Sequence, residues 1–373
     1  MNKIHIAEIL KKDFPYFRKQ LLSWNKEKNK RVLPWKNITN PYHIWVSEIM
    51  LQQTQAEKVI PYYLNFIQKF PTLTVLAQSD ENTIFKLWQG LGYYRRCRNL
   101  FESCKQLVNE GKKEIPQEYK ELLKLKGIGK YTAAAISSFA FNLPYAVVDG
   151  NVIRILSRFW GLKIQRDSLK DIQFVEYLAQ ELADKKNIKN YNQAIMDLGA
   201  TICLPKNPLC QFCFLYSKCK AFEDPKKFLV LPAQKKIQKK KRYFDCFFVF
   251  TSDKKLLIRK REALDIWQSL FEVVLIESSK NYSIKKSIEN FSIKFFKKEK
   301  TLLNIYTDYP IFKQTLSHQY IYSRMFVLTI SKAQEKSFSD FRKIPLNQRH
   351  KYSFPKTILD MFKELDNKKI GIS

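Results

Sequence analysis

The sequence has no long apolar run. The N-terminal stretch MNKIHIAEILKK is interrupted by charge before any apolar run long enough for a signal peptide, and no window approaches a membrane span. We therefore expect a cytoplasmic protein with no membrane partner. The chain has 373 residues, 45% of them hydrophobic, which suffices for a well-buried core and about two domains. It contains no internal repeat.

Acidic residues are scarce. The chain carries 35 Asp and Glu against 66 Lys and Arg, a formal net charge of +31. Because Lys and Arg gain affinity for phosphates by displacing counterions, this charge favours a polyanionic partner such as nucleic acid. Lys greatly outnumbers Arg, however, and an AT-rich genome would produce the same bias. The charge alone therefore does not distinguish a nucleic-acid partner from a bias in genome composition.

The chain lacks the even number of cysteines that a complete disulfide framework needs. Their total of seven is odd, and in a reducing cytoplasm clustered thiols are more often metal ligands than disulfides. Three of them, Cys97, Cys104 and Cys246, stand apart on apolar faces, where we expect them to be small buried hydrophobic side chains.

The other four cysteines share the stretch CLPKNPLCQFCFLYSKC, with the spacing C-x6-C-x2-C-x5-C. Zinc sites usually pair their ligands as two short knuckles, whereas only one knuckle is present here. Four thiolates at irregular spacing suit an iron–sulfur cubane better, so we expect a 4Fe-4S cluster, with structural zinc as the alternative. The four ligands, called the cysteine quartet below, are Cys203, Cys210, Cys213 and Cys219.

The chain changes character after about Phe222. Before it, apolar periodicity and capping residues predict helices after Ser79-Asp80, over 95–110, from 130 to 141, from 151 to 160 and after Ser168. Residues 223–242 are Lys-rich and lack periodicity, and we interpret them as a linker. The runs YFDCFFVF, KKLLIRKR, EVVLIE and YIYSRMFVLTI then predict strands, with helices at 283–291 and 355–365. The prediction is an all-α region, 1–222, and an α+β domain, 243–373.

Several motifs in the helical region resemble the helix-hairpin-helix DNA glycosylases of the endonuclease III and MutY group. They are LPWKNITNPYHIWVSEIMLQQTQ (33–55), LGYYRR, LKGIGKYTAAAI (125–136), VVDGNVIRIL (147–156) and the cysteine spacing, which together cover about residues 30 to 220. The first is similar to the catalytic segment of the MutY-type adenine DNA glycosylases. The resemblance implies a monomeric enzyme, associated with the bacterial nucleoid, that hydrolyses the N-glycosidic bond of adenine mispaired with 8-oxoguanine or G in double-stranded DNA.

The resemblance assigns the chemistry to two carboxyl groups. Glu48 lies among apolar and amide side chains, which can raise a carboxyl pKa, and adenine leaves well only once a ring nitrogen such as N7 is protonated. A carboxylate at Asp149 could stabilise the positive charge that develops on the deoxyribose, although an Asp before a helix is also a plain N-cap. Asn151 matches a position that helps to order the site. A surface salt bridge is the alternative for Glu48.

Tyr131 separates two kinds of glycosylase. Relatives that also cleave the strand carry a Lys at this position, whose amine forms a Schiff base with the sugar. A phenol cannot form one, so Tyr131 favours simple base hydrolysis, either by bonding Glu48 or by shielding the sugar; core packing is the alternative. The neighbouring Lys130 should point elsewhere on the helix.

Two further motifs imply contacts with DNA. The Gly127-Ile128-Gly129 turn, flanked by Lys126 and Lys130, is expected to cradle a phosphate ahead of a helix, with a plain capping turn as the alternative. A second set, comprising Gln53, Thr54 and Tyr93, matches residues that touch or wedge beside the base opposite the extruded adenine. Tyr93 could instead be an ordinary packing aromatic.

The C-terminal domain resembles the MutT-like (Nudix-like) domain of these glycosylases. Gln268 and Ser269 depart from the family's Trp-Gly-Gly-Leu-like segment, and no Glu-rich metal-binding helix follows, so the domain should recognise rather than hydrolyse. TLSHQY resembles a Phe-Ser-His loop in which Leu316 replaces Phe. Ser317 and His318 are thus candidates for reading 8-oxoguanine, with a β-turn as the alternative.

Two other functions stay open on the sequence. An endonuclease III-like glycosylase/lyase for oxidised pyrimidines is disfavoured by Tyr131 and by the additional C-terminal domain. A non-catalytic iron–sulfur protein that binds DNA or senses redox state would be expected to lack Glu48 and Asp149, yet both are present.

Overall fold

The computed structural model describes residues 3–233, 238–262, 264–297 and 305–368. These form two compact units, one of Met1–Ser79 with Arg96–Lys236 and the other of Asp80–Arg95 with Ile237–Ser373. The segment Asp80–Arg95 therefore belongs with the C-terminal part of the chain. This differs from the sequence interpretation, which kept 1–222 together.

Helices make up the N-terminal part of the chain. In chain order they are α1 (Lys3–Leu10), α2 (Phe14–Glu27), α3 (Pro41–Leu51), α4 (Ala56–Lys69), α5 (Leu73–Ala77), α6 (Glu81–Trp88), α7 (Tyr94–Asn109), α8 (Tyr119–Leu122), α9 (Lys130–Phe141), α10 (Gly150–Trp160), α11 (Leu169–Leu182), α12 (Ile188–Thr201), α13 (Lys220–Glu223) and α14 (Pro225–Phe228).

Side-chain caps define where several of these helices begin. Asp80, Asp149 and Ser168 each accept hydrogen bonds from backbone N–H groups of the first turn of α6, α10 and α11. At its other end α10 stops at Gly161, whose φ of 66° is left-handed. The helices predicted from these signals are confirmed to within one or two residues.

The core of the helical unit surrounds α3. Tyr42 and the continuous run from Ile44 to Met50 are buried, and α3 packs against α4 and α9. The helix α12 in turn packs against α2, α9 and α10. This arrangement brings the end of α3 and the first turns of α9 and α10 towards one region.

The second unit contains a mixed sheet. Its described strands are β1 (Lys240–Phe250), β2 (Lys255–Lys260), β3 (Phe271–Glu272), β4 (Val274–Ser278), β5 (Ile305–Tyr306), β6 (Phe312–Thr315), β7 (Gln319–Thr329) and β8 (Arg342–Pro345), with helices α15 (Ile284–Phe296) and α16 (Lys356–Asn367). The central β1 pairs in parallel with β7, from Lys240 opposite Gln319 to Phe250 opposite Thr329, and antiparallel with β4. The α+β prediction is confirmed, and β5, β6 and β8 are additions to it.

The stretch interpreted as a linker is partly structured. The short helix α14 lies inside it, capped by Asp224, and β1 begins at Lys240. Residues 234–237, which include Lys235 and Lys236, lie outside the described residues. Within the described ranges, no helix is long and apolar enough to cross a membrane.

Candidate active site

Glu48 is a buried carboxyl group held by a tyrosine. It lies near the end of α3 with 3% of its surface exposed, and the hydroxyl of Tyr131, in the first turn of α9, donates to its Oε2 at 2.8 Å. Burial raises the pKa of Glu48 to about 7; the Tyr131 hydrogen bond lowers it and the charge of Asp149 raises it. A substantial share of Glu48 is therefore protonated at neutral pH.

Tyr131 remains a hydrogen-bond donor across the working pH range. Burial, together with the carboxyl groups of Glu48 and Asp149, raises the pKa of its phenol well above 10.0. Two roles were considered for Tyr131, a hydrogen bond to Glu48 and shielding of the sugar. The structure contains the hydrogen bond. The adjacent Lys130 instead pairs with Glu176 at 2.8 Å, on the surface.

Asp149 is held at the N-terminus of α10. Its Oδ1 accepts from the backbone N–H groups of Asn151 and Val152, both at 2.8 Å, and its Oδ2 accepts from Asn151 Nδ2 at 2.8 Å. Asn151 Oδ1 accepts in turn from Arg154 at 2.9 Å. Burial raises the pKa of Asp149, while these hydrogen bonds and the charge of Arg154 oppose that rise. The N-cap role is real, and it also fixes the carboxyl group in place.

The predicted catalytic residues line one cavity of about 440 Å³. This size lies within the usual range for ligand-binding pockets, roughly 300–1,000 Å³. Thr54 lines the same cavity. The four predicted catalytic residues that meet here are Glu48, Tyr131, Asp149 and Asn151.

A buried ion-pair network beside this cavity was not predicted. Asp197, on α12, is buried and accepts from Asn29 at 2.8 Å, Arg31 at 3.0 Å and Lys36 at 2.9 Å. Arg31 also lines the cavity. The sequence signal was an acidic residue between Ile195 and Leu198 on a buried helix face, because such a residue requires partners.

Arg96 shapes the turn that carries Gln53 and Thr54. Its guanidinium, 9% exposed, donates to the carbonyls of Ile49 at 2.9 Å and Met50 at 2.8 Å, and to Thr54 Oγ1 at 3.2 Å. These carbonyls lie in the last turn of α3, where helical partners run out. Gln53 is exposed with a left-handed φ of 58°. Sequence reasoning missed this role of Arg96, since most of its partners are backbone carbonyls.

The glycine turn before α9 has the predicted form. Gly127 has a φ of 80°, and a Cβ there would lie 2.8 Å from the Asn99 side chain, so only glycine fits. Gly129 is the N-cap of α9 and provides no side-chain cap. The turn also leads the chain into a helix whose first N–H groups are available to an anion. Lys126 forms a surface ion pair with Glu102 at 2.7 Å.

The cysteine quartet lines a single cavity. Arg158, from α10, borders it and donates to Cys203 Sγ at 3.7 Å and to the carbonyl of Leu204 at 2.6 Å. Among the described residues, no three His, Cys, Asp or Glu side chains form a group that could hold a metal ion. The three isolated cysteines are buried, as predicted.

The remaining candidates belong to the second unit. Tyr93 is 42% exposed and has a left-handed φ of 50° in the turn between α6 and α7. Ser317 and His318 form the exposed turn between β6 and β7, closed by a hydrogen bond from Leu316 N to Gln319 O at 2.9 Å. Ser317 Oγ and His318 Nδ1 lie 3.1 Å apart. The pair therefore lies at the tip of the β6–β7 hairpin.

Comparisons with known proteins show which family the chain resembles. Residues 46–180 match the family model described as HhH-GPD superfamily base excision DNA repair protein. The chain is 38% identical over 257 residues to an adenine DNA glycosylase of Buchnera aphidicola, covering 68% of this chain and 72% of that relative. It is 42% identical over 220 residues to an adenine DNA glycosylase of Mus musculus, covering 57% of this chain and 42% of that relative.

A solved structure supports the fold of the helical part. A thermostable thymine-DNA glycosylase is 28% identical, with a TM-score of 0.53, and the match covers 57% of this chain and 97% of that one. With the Buchnera relative matched over most of its length, the chain belongs to the adenine DNA glycosylase family, within the HhH-GPD superfamily of base excision DNA repair proteins.

Proposed function

We propose that this DNA glycosylase hydrolyses the N-glycosidic bond of adenine paired with 8-oxoguanine or G in double-stranded DNA. One observation carries the proposal: a buried Glu48 with a pKa of about 7 lies on the same cavity as Asp149, which is held by Asn151 and the start of α10. A proton donor and a fixed carboxyl group are the two groups that depurination needs.

Glu48 acts as the general acid. Its proton goes to a ring nitrogen of the extruded adenine, so that the base leaves as a neutral species rather than as an anion. The Tyr131 hydroxyl donates to Oε2, which leaves Oε1 of Glu48 to carry the proton towards the base. The buried site keeps a large fraction of Glu48 protonated at neutral pH.

Asp149 stabilises the sugar as the bond breaks. Positive charge develops on the deoxyribose, and a carboxylate held at the N-terminus of α10 is fixed before the reaction begins. Asn151 and Arg154 form a relay of hydrogen bonds that orients this carboxyl group. Water completes the hydrolysis at the sugar carbon.

The enzyme leaves the strand intact. With Tyr131 where strand-cleaving relatives carry a Lys, the side chain that bonds Glu48 is a phenol, which cannot form a Schiff base with the sugar. The ion pair of Lys130 with Glu176 supports this, because it holds the neighbouring amine at the surface.

Recognition of the opposite base is assigned to exposed turns. Gln53 and Thr54, held by Arg96, and Tyr93 would contact or wedge beside the base opposite adenine. The MutT-like C-terminal domain would read 8-oxoguanine through Ser317 and His318. Lys126, Gly127, Gly129 and Lys130 would bind a backbone phosphate at the start of α9.

The cysteine quartet is proposed to hold a 4Fe-4S cluster. The support for this proposal is that the four cysteines line one cavity and have the irregular spacing that suits a cubane better than the paired knuckles of zinc sites. When bound, the cluster would cross-link the loop between Cys203 and Cys219 and so restrict its conformations. Arg158 supports that loop from the protein side through its bonds to Cys203 and Leu204.

The proposal is tested with three duplexes, carrying A opposite 8-oxoguanine, A opposite G, and an oxidised pyrimidine. Abasic sites should form in the first two, and strand breaks should appear only after alkali. Borohydride added during the reaction should trap little protein–DNA adduct. Adduct as abundant as released base, or excision of the oxidised pyrimidine alone, would favour the endonuclease III-like alternative.

A further inference from the structure

The segment Asp80–Arg95 is fastened to the C-terminal part of the chain through Asn82. Its Nδ2 donates to Lys351 O at 2.6 Å, and its Oδ1 accepts from Ser353 N at 3.2 Å. The hydroxyl of Ser353 lies 3.2 Å from Asn82 Oδ1 and 3.1 Å from Asn82 O, so its single proton serves either oxygen. Ser353 is only 1% exposed, and water therefore competes little for these bonds.

Only an amide satisfies this arrangement. Asn82 presents a donor to one backbone carbonyl and an acceptor to a backbone N–H and a hydroxyl. An aspartate of the same shape would keep the acceptor but set a second oxygen against Lys351 O. The contact is therefore sensitive to a change of one atom.

Neighbouring residues on the same face of α6 strengthen this contact. Lys86 Nζ donates to Tyr352 O at 3.3 Å, and Glu81 pairs with Lys260. On the other side, Phe271 N donates to Ser353 O at 2.8 Å, which ties the contacted segment to β3. The helix α6 is thus joined to the sheet of its own unit.

The same helix leads directly to Tyr93. Trp88 Nε1 donates to Gly92 O at 3.0 Å, and the rings of Phe85 and Tyr94 pack edge-on with centroids 6.2 Å apart. Tyr93, which lies between Gly92 and Tyr94 in the chain, has a left-handed φ of 50°. A bulky residue keeps this conformation only when its surroundings hold it. The turn that presents Tyr93 is therefore packed against α6 and hydrogen-bonded to it.

We propose that Asn82 is a positioning residue through which the C-terminal part of the chain helps to set the position of Tyr93. The inference rests on the proposed function, in which Tyr93 wedges beside the base opposite adenine. The unit that carries the Ser317–His318 turn then also carries the wedge, and reading the opposite base is coupled to extruding its partner.

The DNA-free protein provides the first test. Asn82→Asp is compared with Asn347→Asp, which adds the same charge at an exposed position of the same unit. Hydrogen exchange of the amides of 84–95 should be faster in Asn82→Asp than in Asn347→Asp, by about tenfold for a loss of roughly 1.4 kcal/mol of local stability. Equal exchange in the two variants would overturn the proposal.

A double-mutant cycle provides the second test. Tyr93→Ala is introduced into the parent and into Asn82→Asp, and single-turnover release of adenine opposite 8-oxoguanine is measured, with 2-aminopurine fluorescence beside the adenine as a report of base extrusion. Asn82→Asp should slow release about tenfold or more, because misplacement of about 1 Å can cost 100-fold. Tyr93→Ala should then cost much less in that background than in the parent.

The cycle distinguishes positioning from a general loss of folded enzyme. If Asn82 serves stability alone, Tyr93→Ala costs the same factor in both backgrounds, and the proposal is overturned. If the parent releases no adenine, the proposed function fails, and the exchange measurement decides whether Asn82 holds the Tyr93 turn.

Discussion

The protonation of Glu48 predicts how adenine release depends on pH. A Glu with the ordinary pKa of 4.5 would be roughly 0.3% protonated at neutral pH, whereas a pKa of about 7 gives about half. Burial therefore increases the population of the general acid about 150-fold, equivalent to about 3 kcal/mol in favour of the protonated form.

The direction of the pH effect follows from the form that reacts. Since the protonated carboxyl is the active form, the single-turnover rate should be highest below about pH 7 and fall about tenfold per pH unit above about pH 8. At acidic pH the rate should fall again as Asp149, whose pKa is also raised, takes up a proton. The profile should be bell-shaped.

Tyr131→Phe should move the alkaline limb of the pH–rate profile, where the rate falls as Glu48 ionises, to higher pH. The Tyr131 hydroxyl stabilises the ionised form of Glu48, so its removal should raise the pKa of Glu48 and shift this limb to higher pH. Tyr177→Phe, the same change at an exposed position of α11, should leave the limb in place. A rate that holds or rises above neutral pH, or a limb that moves to lower pH in Tyr131→Phe, would refute the assignment of Glu48.

Other measurements address stability, the cluster and recognition. Asp197→Ala leaves the partly buried Arg31 and Lys36 without their partner and should cost about 2 kcal/mol in urea unfolding; a loss within the error of the extrapolation would contradict the network. Anaerobically purified protein should contain iron and inorganic sulfide, and stoichiometric zinc without iron would contradict the cubane. Ser317→Ala with His318→Ala should reduce the preference for 8-oxoguanine over G by about 1–3 kcal/mol per lost contact while A opposite G is still processed; an unchanged preference would exclude this turn as the reader.

The sequence predicted elements whose signals are local. Gly129 and Asp149 mark the starts of α9 and α10, and the structure places both helices there. The short strands β6 and β8 were missed because four residues show too little alternation, and pairing with long neighbours stabilises them.

Contacts that are distant in sequence could not be predicted. Asn82 and Ser353 are 271 positions apart, and nothing near either residue indicates the other. Arg96 binds backbone carbonyls, which carry no sequence signal. The roles of Glu48 and Asp149 were predicted from a resemblance. A rise in the pKa of Glu48 was expected from its apolar and amide neighbours in the sequence, but the extent of the rise depends on burial that only the fold provides.

The most direct test of the central claim is to identify the released base. Parent, Glu48→Gln and Asp149→Asn are incubated in excess with a duplex carrying A opposite 8-oxoguanine, and free adenine is quantified by mass spectrometry alongside DNA binding. The account predicts stoichiometric adenine from the parent and, in either variant, a rate lower by about 100-fold or more with binding retained. Adenine released by either variant at the parental rate would contradict it.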